Sequence, residues 1–136
     1  MDTGSGSPRP GEDTIARTTA RIRERPGDDA AHAERATALL DLGRLEDAER
    51  DAADAVRIDP DEVRYRELLA AIQSRRGEHA DAAAEYARLA RRDPRQVAWT
   101  VAEAAERMDA ADAEKGVEAH RVGGVALRLL KAPEIQ

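Results

Sequence analysis

Residues 42–60 read LGRLEDAERDAADAVRIDP, in which a glycine precedes an alanine-rich helical pattern that closes on Asp-Pro. The same features return further along the chain at one constant spacing of 34 residues. The recurring pairs are Gly43 and Gly77, Ala48 and Ala82, Pro60 and Pro94, and Tyr65 and Trp99. A period of roughly 20–50 residues is typical of stacked supersecondary units. The sequence therefore predicts tandem copies of one helical unit.

Each unit is expected to be a pair of antiparallel helices. Alanine is abundant and aromatic residues make up only 2% of the chain, so helix is favoured over strand. Gly43 and Gly77 suit the left-handed residue that follows a helix end. Ala48 and Ala82 come soon after this turn, where the two helices approach closely and a large side chain would overpack.

The Asp-Pro pairs are predicted to start the next helix. Asp59 suits the N-cap, Pro60 the first helical position, and Glu62 the third position of a capping box. Asp93 and Gln96 repeat the arrangement one period later.

The segments AHAERATALLDLGRLEDAERDAADAVRIDP (31–60) and RYRELLAAIQSRRGEHADAAAEYARLARRDP (64–94) resemble tetratricopeptide repeats. The usual aromatic residue early in the first helix is replaced by His32 and Arg66. The matching residues are Ala36, Gly43, Leu45, Ala48, Ala55, Ile58 and Pro60 in the first copy, and Leu69, Ala70, Gly77, Ala82, Tyr86 and Pro94 in the second. The resemblance implies an all-α fold, a right-handed superhelix of about seven helices.

The predicted organisation is a disordered tail at 1–12 followed by a tetratricopeptide-like domain at 13–136. Within it we expect a helix at 13–25 and repeats at 29–62 and 63–96. A degenerate repeat at 97–122 would contain helices at 97–109 and 112–122. Residues 125–131 would cover the last apolar face through Val125, Leu127, Leu129 and Leu130.

Composition argues against several classes of partner. The net charge of −6 opposes general nucleic-acid binding, which needs clustered cations. No apolar run approaches the ~20 residues that span a bilayer, and residues 1–13 lack the pattern of a secretory signal. A cytoplasmic protein with the residue usage of a high-GC bacterium is expected.

No catalytic, cofactor or metal site is predicted. The chain has no cysteine, and its three histidines, His32, His79 and His120, lack the i,i+4 spacing of a zinc-binding pair. His32 and His79 fall where the repeat packs its helices, so structural roles are expected. The carboxylates are dispersed along helices, as in the predicted surface pairs Glu46/Arg50 and Asp54/Arg57. We therefore expect a protein that is not an enzyme.

The expected function is binding of a protein or peptide on the concave face formed by the first helix of each unit. The lysine and asparagine clamp by which some tetratricopeptide repeats hold chaperone tails is absent, since its positions hold Ala33, Thr37, Glu67 and Ala71. The candidate partner-binding residues are Thr37, Asp41, Arg64, Glu67, Ser74, Arg75, Val101 and Met108.

Two alternatives stay open. The first is self-association as a homodimer through the last repeat or the apolar C-terminal segment, or a role as an accessory subunit of a bacterial enzyme or complex. The second concerns Tyr65 and Trp99, which would either pack against the preceding unit or bind a partner; packing is the favoured interpretation.

Overall fold

The computed structural model describes residues 9–115, which form six α-helices and no strand. An all-α chain is therefore confirmed over these residues, with six helices where about seven were predicted for the whole chain. The predicted segment at 125–131 and the end of the degenerate repeat lie outside the described residues. The helices are α1 (Pro10–Glu24), α2 (Asp29–Asp41), α3 (Leu45–Ile58), α4 (Val63–Arg75), α5 (His79–Arg92) and α6 (Val97–Glu114).

The helix bounds repeat along the chain with the same period as the sequence. The pair α4 and α5 begins and ends one period after the pair α2 and α3 at every boundary, and α6 begins one period after α4. Gly43 and Gly77 close the first helix of each pair with φ of 79° and 83°. This is the left-handed region that glycine enters without a steric penalty, as predicted.

The core is built mainly from alanine. Each helix packs against the next along the chain, and α2 also contacts α4. Ala48 and Ala82 are fully buried, which confirms their predicted place at the helix contact. Since alanine buries little area, stability rests on close approach of many helix surfaces. One cluster joins α2, α3 and α4 through Ala36, Leu39, Ala48, Ala52, Leu69 and Ile72.

The predicted helix starts at the Asp-Pro pairs are wrong. Asp59 and Asp93 follow the last residues of α3 and α5, and α4 and α6 begin three residues after the prolines. A residue before proline is pushed toward extended conformations, and Asp59 has φ −131° and ψ 81°. Glu62 is the N-cap of α4, and its side chain accepts a hydrogen bond from the Arg64 amide. Gln96 takes the N-cap position of α6.

Both ends of the described region differ from the prediction. α1 begins at Pro10, inside the predicted tail, because proline is preferred in the first turn and Glu12 and Asp13 complement the helix dipole there. The predicted turn near 109–112 is absent, since α6 continues to Glu114. Alanine and acidic residues without glycine or proline give this stretch nothing that stops a helix. No helix within residues 9–115 combines the length and apolarity needed to cross a membrane.

Positions 32 and 66, which are repeat equivalents, each hold a polar side chain that pairs with the following helix. His32 Nδ1 lies 3.4 Å from Asp51 Oδ1, joining α2 to α3. At the equivalent positions of the next repeat, the Arg66 guanidinium donates to Glu85 at 2.8 Å, joining α4 to α5. All four side chains are at most 15% exposed. A charged or polar contact therefore joins the two helices inside each hairpin.

Candidate binding groove

An open groove of about 490 Å³ lies between α2 and α4. Each helix contributes residues spaced three and four apart, which places them on one face. The groove-lining residues are Ala30, Ala33, Glu34 and Thr37 from α2, and Arg64, Tyr65, Glu67 and Leu68 from α4. Ala30, Ala33 and Glu34 are the repeat equivalents of Arg64, Glu67 and Leu68. The same face of two successive first helices thus forms the two walls.

The structure brings together some of the predicted partner-binding residues. Thr37, Arg64 and Glu67 line the groove. Asp41 lines a second hollow, of about 380 Å³, between α1 and α2, to which Thr37 also contributes. The remaining four candidates, Ser74, Arg75, Val101 and Met108, line neither hollow.

Sequence reasoning missed part of the groove. Four lining residues, Ala30, Ala33, Glu34 and Leu68, were not among the candidates, although all but Ala30 lie three or four residues from Thr37 or Arg64. The candidates were chosen by their position in the repeat, and that choice did not include the apolar surface of Ala30 and Leu68. Extending the i, i+3, i+4 pattern around Thr37 and Arg64 would have found them.

The polar side chains of the groove already have partners within the chain. Glu34 pairs with Arg21 of α1, and the Thr37 hydroxyl donates to the Ala33 carbonyl at 3.0 Å. Glu67 accepts a 2.7 Å hydrogen bond from the Trp99 indole. The groove therefore offers a ligand mainly shape and the apolar surface of its alanines and Leu68.

Arg64 stands at the mouth of the groove with its side chain 80% exposed. Its guanidinium lies 3.0 Å from Glu62, and this hydrogen bond lowers the pKa of the Glu62 carboxyl. An exposed pair of this kind contributes little to stability. Arg64 thus presents a charged guanidinium at the mouth of the groove. A ligand carboxylate can take the place of Glu62 there at little cost in free energy.

Tyr65 and Trp99 both reach back to the first helix of the preceding unit. The Tyr65 hydroxyl donates to Asp29 Oδ2 at 2.9 Å, and the Trp99 indole donates to Glu67. Both rings are only partly buried. Both side chains therefore join their own unit to the preceding one. Tyr65 also forms part of the groove wall.

The titration of Tyr65 is expected to report its contact with Asp29. Burial, followed by the hydrogen bond and the negative charge of Asp29, raises the pKa of Tyr65 from 10.0 to about 12. The folded protein favours the protonated phenol, so this stabilisation is complete below pH 10 and is lost as the pH rises toward 12. Phenolate absorbance in a Tyr86→Phe protein, which leaves Tyr65 as the only tyrosine, should show a midpoint near 12.

Adding Asp29→Asn should move that midpoint toward 10.0, but not fully, since burial persists. Circular dichroism at each pH controls for unfolding. A midpoint near 10.0 in the folded Tyr86→Phe protein would contradict the contact.

Two clusters within residues 9–115 place one imidazole near two carboxylates. The first joins His32 to Asp51 and Asp54, and the second joins His79 to Glu106 and Asp109. In each, the ligand atoms lie within 4.8 Å of one another. The zinc signal that the sequence lacks is a pair of histidines on one helix. In these clusters one helix supplies a single imidazole, and a neighbouring helix supplies two carboxylates three residues apart.

The two clusters differ in their electrostatics. In the first, the Arg35 guanidinium binds both oxygens of Asp51 at 2.6 and 2.8 Å. In the second, His79 is the only basic side chain of residues 9–115 within 4.0 Å of Glu106 or Asp109. A guanidinium thus already neutralises the carboxylate of the first cluster but not those of the second.

No family model matches the chain, and neither does any curated protein.

Proposed function

We propose that this chain is a tetratricopeptide-like right-handed superhelix that binds an extended peptide or protein segment in the groove between α2 and α4, without catalysis. The observation that carries the proposal is the groove itself, whose walls are repeat-equivalent faces of two successive first helices. Curved faces of this kind are the usual binding surfaces of helical repeat proteins.

The chemistry of the groove defines the segment that would fit. Ala30, Ala33 and Leu68 favour an apolar side chain seated between the helices. Arg64 at the mouth favours a carboxylate or backbone carbonyl on the flanking part of the segment, which a guanidinium binds in a bidentate manner. An apolar residue next to an acidic one is therefore the expected recognition element.

Peptide display against the full-length protein tests the proposal. Peptides selected on the wild-type protein are expected to bind Ala33→Glu at least about tenfold more weakly, corresponding to a loss of about 1.4 kcal/mol, because the carboxylate fills and charges the groove. The substitution suits the fold, since Glu67 occupies the equivalent position of the next repeat.

Arg75→Glu is the matched control, since Arg75 is exposed and does not line the groove. Its affinity for the selected peptides should equal that of the wild-type protein. If the selected peptides bind Ala33→Glu as tightly as they bind the wild-type protein, the groove is not their binding site.

Self-association is the second candidate function, and the outer face of α6 favours it. Val97, Val101 and Met108 are 65%, 61% and 54% exposed, and their spacing places them on one stripe of the helix. A second copy of the chain would bury this stripe. Light scattering coupled to size exclusion separates the two functions, since a monomer at all concentrations excludes the dimer.

A further inference from the structure

We propose that His79, Glu106 and Asp109 form a binding site for a divalent transition-metal ion such as Zn²⁺, held between α5 and α6. This site is distinct from the groove, which lies between α2 and α4. His79 is the first residue of α5, while Glu106 and Asp109 are three residues apart on α6 and so share a face.

The geometry suits a small ion with open positions for water. His79 Nδ1 lies 2.7 Å from Glu106 Oε2 and 4.0 Å from Asp109 Oδ2. Neighbouring ligand atoms around tetrahedral zinc lie about 3.3 Å apart, a value between these two distances. The side chains are 22%, 12% and 59% exposed in the order His79, Glu106, Asp109, which leaves the ion a path from solvent.

The repeat supplies an independent observation. One period earlier, the positions of His79 and Glu106 hold Leu45 and Ile72, and Ile72 is fully buried. An apolar pair in one unit is thus replaced by an imidazole and a carboxylate in the next. Such a replacement costs stability unless the new polar groups gain partners. The hydrogen bond between His79 and Glu106 supplies one such partner, and a bound cation would supply another.

The charges around the cluster favour a bound cation. Two carboxylates meet one imidazole, and His79 is their only basic neighbour among residues 9–115. One imidazole with carboxylate oxygens is a donor set that zinc accepts.

Calorimetric titration of the full-length protein with Zn²⁺ tests the site. The wild-type protein should bind one ion per chain. In nuclear magnetic resonance spectra, the imidazole nitrogen resonances of His79 should shift when zinc is added. The double variant His79→Leu, Glu106→Ile has the residue pair of the preceding repeat, so it should fold. It should bind zinc at least about a hundredfold more weakly than the wild-type protein. Asp109→Asn, at an exposed position, should weaken binding at least about tenfold without affecting the fold.

Asp54→Asn is the matched control, because it alters the other cluster and should leave zinc affinity unchanged. Any of three results would overturn the proposal: no zinc uptake by the wild-type protein, wild-type affinity in both the double variant and Asp109→Asn, or loss of binding in Asp54→Asn. Helical circular dichroism of each variant distinguishes loss of the site from loss of the fold.

Discussion

Asp51→Asn is expected to lower the free energy of unfolding by about 3 kcal/mol, because removing one partner of a buried ion pair leaves the other charge desolvated without compensation. Asp51 is 6% exposed and accepts two hydrogen bonds from the Arg35 guanidinium, which is 23% exposed. Since small domains are stable by about 5–15 kcal/mol, the loss is large. Urea denaturation followed by circular dichroism measures it.

The size of this effect follows from how many elements the network joins. Arg35 also donates to Thr19 of α1 at 3.1 Å, and His32 Nε2 donates to the Pro26 carbonyl at 3.0 Å. Asp51 therefore ties α1, the first loop and α2 to α3. Its loss should loosen the N-terminal half of the stack as a unit.

Two variants sharpen this prediction. Asp54→Asn is the control, since Asp54 is 43% exposed and an exposed charge should cost below about 1 kcal/mol. Arg35→Leu combined with Asp51→Ala should recover part of the loss, because the repeat equivalent of Arg35 is the buried Leu69. Equal stability of Asp51→Asn and Asp54→Asn would show that the network contributes nothing specific.

Ile72→Ala is the second substitution with a large expected effect, a loss of about 2–5 kcal/mol. Ile72 is fully buried, and it joins α4 to the cluster formed with Leu39 and Ala48. In an alanine-rich core there are few large side chains, so the neighbours of Ile72 have little volume with which to fill the cavity. Thermal unfolding should show the loss as a lowered melting temperature.

Val101→Ala is the control for Ile72→Ala. Val101 is 61% exposed, so its truncation should change stability by less than about 0.5 kcal/mol. If the two substitutions cost the same, the cluster around Ile72 is not the core of the protein.

The helix pairs could be predicted from the sequence because their signals are local and recur. Gly43 and Gly77 each need a backbone conformation that favours glycine, and the spacing of Ala48 and Ala82 repeats with them. The helix starts were misplaced because aspartate before proline suits two roles, a helix end and a cap. The sequence offers no local feature that chooses between them at Asp59.

The side-chain clusters could not be predicted, since their members lie far apart in the chain. Asp51 meets Arg35, and Glu106 meets His79, only because two helices pack in one particular register. The predicted pair Asp54/Arg57 is present at 3.5 Å. The predicted pair Glu46/Arg50 is not, because Arg50 pairs with Asp47 and Glu46 lies 3.8 Å from Arg76 of the next hairpin. Competing partners, one on α3 itself and one in the next hairpin, therefore decided this second case.

Residues 29–58 and 63–92 form two helical hairpins with equivalent bounds, and a groove lies between their first helices, α2 and α4. An experimental structure of the full-length protein tests this arrangement most directly. We expect the two segments to superpose helix on helix, with Gly43 on Gly77 and the Tyr65 hydroxyl bonded to Asp29. Hairpins that do not superpose, or an α2 that does not contact α4, would contradict it.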